Sequence, residues 1–137
     1  MLERRIEIRW RDLDAYGHVN NAVYLNYLEE ARDAWAQEVL GELTDTWDFV
    51  LARVAIDFKH ELTQTDGAVL VHCELRSIGS SSVRTREKIR RLDGTVSATA
   101  ESVIVPRDPK TGRSRRLTDA ERAALEASLG SDGSGSP

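Results

Sequence analysis

Residues 12–32 read DLDAYGHVNNAVYLNYLEEAR, a loop that turns into a long helix. Its first part carries Asp12, Asp14, Gly17, Asn20 and Asn21, residue types that favour turns over regular elements. From about Ala22 the pattern changes. Ala22, Leu25, Leu28, Ala31, Trp35 and Val39 recur at three- and four-residue steps, with Val23 and Tyr24 beside the stripe. That is the spacing of a helix with one apolar face. Asn20 or Asn21 is placed to cap it, because a short side-chain oxygen accepts from the free N–H groups of the first turn. Gly41 stands where a left-handed residue often ends a helix. The helix is expected to run to about residue 40 and, with its apolar first half, to be deeply packed.

Outward from this helix the chain reads as strands. In residues 4–10, Ile6, Ile8 and Trp10 share one face, the period of a half-buried strand. Four such segments follow. Val50, Ala52, Val54, Ile56 and Phe58 point one way in 50–60, and Val69, Val71, Cys73 and Leu75 in 68–78. In 82–91, Val83, Thr85 and Ile89 oppose Arg84, Arg86, Lys88 and Arg90; in 95–105, Val96, Ala98, Ala100, Ser102 and Ile104 share a face. Asp93-Gly94 is a hairpin signal, because glycine tolerates the positive φ of a tight turn. Thr118 with Glu121 reads as a capping box opening a short terminal helix. Short links favour antiparallel neighbours, and the long helix must cover one sheet face. The expectation is an α+β domain, a five-stranded curved antiparallel sheet wrapped around one long helix. It spans residues 1–128, with a flexible Gly/Ser tail over 129–137. The opposite sheet face is left for a partner subunit.

The chain has 137 residues, which suits one domain. A hydrophobic share of 40% and a charged share of 31% exclude a disordered chain. No apolar run approaches the roughly 18 residues of a membrane span, and no secretory signal is expected. Cys73 is the single cysteine, so no intramolecular disulfide forms and a cytoplasmic location is the default. Charge is uneven. Residues 1–75 carry 7 Lys/Arg against 15 Asp/Glu, and residues 76–116 carry 11 against 4. A net charge of -4 argues against a nucleic-acid binder. The local basic block suits either one anionic partner, such as phosphate, or a solvated strand face.

Asp14 lies just ahead of a helix N-terminus, which offers unpaired N–H groups and positive partial charge. Such donors can hold a developing oxyanion, and a nearby carboxylate can attack a carbonyl or activate water. The alternative is that Asp14 only orders the loop.

The run Asp14-Ala-Tyr16-Gly-His18-Val-Asn20-Asn21-Ala-Val-Tyr24-Leu, followed by Leu28-Glu29-Glu30-Ala31-Arg32, closely resembles the hot-dog-fold acyl-CoA thioesterases of the 4-hydroxybenzoyl-CoA thioesterase type, nearest to the subgroup acting on fatty acyl-CoAs. The resemblance covers about residues 4–105. It implies a hot-dog fold and hydrolysis of an acyl-CoA to a carboxylic acid and coenzyme A, with no cofactor beyond the coenzyme A of the substrate and no metal. It implies that Asp14 is nucleophile or general base and that the Asn21 N–H polarises the thioester carbonyl. His18 joins them as a catalytic candidate, and Tyr16, Asn20 and Tyr24 as substrate-binding candidates. Some relatives carry a His at the Asn21 position; Asn cannot shuttle a proton at neutral pH. The family also implies a homodimer or homotetramer.

Other residues have weaker claims. Glu29 is the fallback carboxylate, and Arg32 is within reach of it for a helix-surface pair. Arg84 and Arg113 represent the basic block as candidate contacts to the phosphates of coenzyme A. His60 and His72 read as structural or exposed, and no metal-ligand spacing surrounds any histidine. Cys73 reads as a buried small hydrophobe. An acyl-carrier-protein thioesterase and a non-catalytic acyl-CoA-binding module are the competing functions.

Overall fold

The structure, a computed structural model, describes residues 1–134. Strand β1 is Leu2–Glu7, helix α1 Asn21–Leu40, β2 Phe49–Phe58, β3 Ala68–Ile78, β4 Val83–Arg91, β5 Val96–Pro106 and helix α2 Asp119–Ser134. The strands form one antiparallel sheet in the order β1-β3-β4-β5-β2. Helix α1 packs on its inner face, against β1, β3 and β4. This is the expected α+β hot-dog architecture.

The core lies between α1 and the inward side chains of the central strands. Tyr24, Tyr27, Leu28, Ala31, Trp35 and Leu40 of α1 meet Val69, Val71, Cys73, Leu75, Val83, Ile89 and Ala98. The buried stripe is displaced from the expected one. Ala22 and Leu25 are exposed, while Tyr24 and Tyr27 are buried. Leu25 lies one turn before Glu29, on the part of the helix surface that borders open space rather than the covered sheet centre.

Strand β2 is one edge of the sheet, and α1 leaves it largely uncovered. Its register slips between Leu51 and Arg53, so Ala52 is a bulge residue. The inward set is therefore Phe49, Leu51, Val54, Ile56 and Phe58, opposite Pro106, Ile104, Ser102, Ala100 and Ala98. The expected grouping of Val50 and Ala52 with Val54 fails because one inserted residue inverts the alternation. Leu51 and Phe58 stay exposed.

Three ends also differ from expectation. Trp10 leaves the strand to start a 3-10 turn, Trp10–Asp12, and is 82% exposed. Gly41 keeps right-handed angles, φ -62 and ψ -26. It serves space rather than handedness, since a Cβ there would collide with the Gln37 carbonyl and side chain. Helix α2 continues to Ser134, into the stretch expected as tail; the rest of that stretch, 135–137, lies outside the described residues. The α2 capping box forms as expected. Glu121 N–H donates to Thr118 Oγ1 at 3.1 Å and Thr118 N–H to Glu121 Oε1 at 2.8 Å. At the Asp93-Gly94 hairpin, Gly94 takes φ +94.

Candidate active site

The loop before α1 folds into a small hairpin. Asn20 N–H donates to Asp12 O at 2.9 Å, Leu13 bridges Val19, and Asp14 N–H donates to His18 O at 2.7 Å. Gly17 N–H closes the tip on Asp14 O at 3.1 Å, with Gly17 at φ +82, a conformation side chains disfavour. The hairpin is pinned to the next loop by Val19 N–H on Leu62 O at 2.8 Å.

Asp14 Oδ1 accepts the N–H groups of Tyr16 at 2.8 Å and His18 at 3.2 Å. Its other oxygen, Oδ2, has no hydrogen-bond partner among the described residues. One oxygen is thus oriented by the loop and the other is available. Asn20 is the N-cap of α1, its Oδ1 accepting from Ala22 N–H at 2.9 Å. That choice leaves the Asn21 N–H without an acceptor among the described residues, on an exposed first turn. A free carboxylate oxygen and a free helix N-terminal donor therefore lie at one end of α1, joined by a loop of six residues.

The other candidates separate. His18 Nε2 lies 3.2 Å from Glu61 Oε2, a partner no sequence pattern indicated. Tyr16 is 86% exposed at the hairpin tip. Tyr24 is buried; its ring meets Phe58 edge-on at 5.0 Å, and its hydroxyl lies 3.5 Å from Ser97 Oγ. Arg84 projects from the outer sheet face, away from α1. On that face Arg86 pairs with Glu74, Arg76 with Glu101 and Arg90 with Glu3, and His72 also meets Glu3. The strand part of the basic block is thus largely an ion-paired sheet face. Arg113 lies in the loop after β5. Phe58 and Ala98 mark the Asp14 end of the sheet and Pro106 the other end, about 26 Å away at strand rise. One protomer does not bring Arg84 or Arg113 to Asp14. Arg115 is committed elsewhere, bidentate to buried Glu121 at 2.8 and 2.9 Å and over the Phe49 ring.

Arg32 does not pair with Glu29. It enters the interior, with Nη1 3.3 Å from Glu87 Oε1 and 3.3 Å from Ser102 Oγ. Above it a cavity of about 580 Å³ opens between the C-terminal half of α1 and the start of β2, lined among others by Glu29, Arg32, Trp47, Phe49 and Leu51. Glu29 stands about 12 Å along the helix axis from Asn21, too far to act on a carbonyl held there. Cys73 is fully buried, and burial pushes its thiol well above the ordinary range. Among the described residues no group of three or more His, Cys, Asp or Glu side chains is placed to hold a metal ion, and no helix is long and apolar enough to cross a membrane.

Residues 8–127 match the sequence profile of the thioesterase-like superfamily. The long-chain acyl-CoA thioesterase FadM of Escherichia coli is 28% identical, over 91% of this chain and 97% of its own length. Among solved structures, a thioesterase from Thermus thermophilus, complexed with coenzyme A and zinc, superposes with a TM-score of 0.84 and 32% identity, covering 93% of each chain. A predicted thioesterase from Bacillus stearothermophilus gives 0.82 and 26%, covering 92% of this chain and 94% of its own.

Proposed function

The chain belongs to the thioesterase-like superfamily and is an enzyme, and from that premise we propose that it hydrolyses fatty acyl-CoA to a free acid and coenzyme A, with Asp14 and the Asn21 N–H as its catalytic groups. The observation that carries this reading is the pairing of a free Asp14 Oδ2 with an unengaged N–H at the start of α1. The thioester carbonyl oxygen accepts the Asn21 N–H, with the helix N-terminus favouring the charge that develops there. Asp14 Oδ2 then attacks the carbonyl carbon, the C–S bond breaks, and water hydrolyses the resulting anhydride. In the general-base variant Oδ2 takes the proton of a water that attacks directly. Thiolate leaves in either route, and the products are a carboxylic acid and coenzyme A. His18, beside Glu61, and Tyr16, at the hairpin tip, are the further side chains offered to the substrate in this reading. A long-chain acyl group is favoured by the likeness to the Escherichia coli enzyme.

A second copy of the chain completes the site in this reading. The inward apolar side chains of β2 are only partly covered within one protomer, Leu51 and Phe58 being exposed, and Leu25 of α1 is exposed too. Pairing two protomers along this edge covers them. It also allows one subunit's basic loop, including Arg113, to approach the phosphates of a substrate bound to the other.

Release of free thiol from acetyl-, hexanoyl-, palmitoyl- and benzoyl-CoA tests the assignment. Turnover is expected on palmitoyl-CoA, and Asp14→Asn is expected to lower kcat by at least about 10²-fold. A folded Asp14→Asn enzyme retaining more than about a tenth of wild-type kcat rules Asp14 out as base or nucleophile.

A further inference from the structure

We propose that Asp12 and Tyr27 are a positioning pair that fixes the catalytic hairpin on α1. This rests on the reading of Asp14 and Asn21 above. Asp12 is 3% exposed and Tyr27 1% exposed. The Tyr27 hydroxyl donates to Asp12 Oδ2 at 2.7 Å. The same oxygen accepts the Arg9 N–H at 2.9 Å, and Oδ1 lies 3.4 Å from Arg9 Nε. Both carboxylate oxygens are engaged.

Asp12 grips the helix twice. Its carbonyl takes the N–H of Asn20, the residue that caps α1. Its carboxylate takes the hydroxyl of Tyr27, a residue two turns further along the helix. Two attachments so spaced define an orientation as well as a contact. From Asp12 the hairpin runs two residues to Asp14 and is cross-bonded at each step, by the Leu13–Val19 bridge and the Asp14–His18 bond. The separation of Asp14 Oδ2 from the Asn21 N–H therefore depends on Asp12, alongside the Val19–Leu62 anchor. A burial this deep strips a carboxylate of most of its hydration; an apolar side chain would fill the space without that cost and without the second grip. Displacing a catalytic group by an ångström can cost as much as 10²-fold in rate, roughly.

The test uses the full-length enzyme and the variants Tyr27→Phe, Asp12→Asn and Asp12→Ala. Tyr27→Phe deletes one hydroxyl and keeps the ring, so it remains informative if Asp12→Ala fails to fold. Thiol release from palmitoyl-CoA gives kcat and KM separately, and hydrogen exchange is followed at the Asp14 and Asn20 amides. Tyr27→Phe is expected to lower kcat about 10-fold with KM within about twofold of wild type. Its Asp14 and Asn20 amides should exchange at least about 10-fold faster while β3 and β4 amides are unchanged. Asp12→Asn, which keeps an oxygen for the hydroxyl, should retain more kcat than Asp12→Ala. Unchanged exchange at those two amides, or unaltered kcat with only a lower melting temperature, overturns the proposal. An active Asp14→Asn enzyme would instead sink the catalytic reading, and the exchange measurement would still decide whether the pair holds the hairpin.

Discussion

Under the N-terminal half of α1, Asp12 is buried with every oxygen occupied: Tyr27 and Arg9 reach its carboxylate and Asn20 its carbonyl. Under the C-terminal half, Glu87 is buried at 1% exposure with only Oε1 occupied, by Arg32 and by Thr85 at 3.0 Å, and its Oε2 has no partner. The titrations diverge accordingly. Burial works to raise the Asp12 carboxyl, but the Arg9 N–H, the Tyr27 hydroxyl and the Arg9 charge outweigh it and hold Asp12 below the ordinary range. For Glu87 burial wins over Arg32 and its hydroxyl neighbours, and the carboxyl is raised. A buried carboxylate is comfortable only when its whole donor set is assembled. The end of the helix that carries the proposed chemistry is the end where that has been done.

The largest effect is expected at the less satisfied end. Arg32→Met alone leaves Glu87 without its cation and should cost about 3–5 kcal/mol in urea denaturation. Adding Glu87→Leu should restore stability, or exceed wild type by about 1–4 kcal/mol. A double variant no better than the single would show that the pair is coupled to the core in some other way. At the opposite end, Gly17→Ala forces a side chain into positive φ and should cost about 1–2 kcal/mol, with a loss of kcat on the same thioester panel. The basic loop at the far end of the sheet gives a smaller and purely kinetic contrast. Arg113→Glu with Arg116→Glu should raise KM for an acyl-CoA by about fivefold, and less for a short thioester lacking the nucleotide. Equal effects on both substrates would remove phosphate contact from the picture.

The mildest contrast is in pH. Asp12 has a folded pKa below its ordinary 3.8, so its contribution is complete above that value and is lost as pH falls through the depressed pKa. Glu87 has a folded pKa above its ordinary 4.5, so its contribution is complete below that value and is lost as pH rises through the raised pKa. Stability against pH should therefore lose its acid-side dependence in part with Asp12→Asn, and its dependence above 4.5 with Glu87→Gln. Identical curves for both variants would erase the distinction between the two ends.

Much of this was legible in the sequence. Period-two alternation announced all five strands, and the Asp93-Gly94 and Thr118–Glu121 signals marked a turn and a cap that form as read. The 12–32 stretch carried the loop of the proposed site and the resemblance that named the family. What escaped was non-local. The Ala52 bulge leaves no mark on a single strand, because it exists only as register against β5. Asp12 looked like one more loop aspartate, since its partner is a tyrosine across a turn and a helix. Glu87 sits at an inward position of β4, the one acid between Thr85 and Ile89, and that misfit with the alternation was the available clue to its pairing with Arg32. Ala22 and Leu25 read as part of the core stripe because helix periodicity records apolar spacing without recording what covers it.

The cross-bonded hairpin from Asp12 to Asn20 has an evolutionary corollary. Its carboxylate, its turn and its adjoining helix donor are held mainly by contacts within one short stretch of chain, with Tyr27, Arg9 and the Leu62–Thr63 loop as outside supports. The cavity between the start of β2 and the C-terminal half of α1 is built largely by residues outside that stretch. If the proposed chemistry sits on this hairpin, mutations elsewhere can reshape substrate range while leaving the reaction intact.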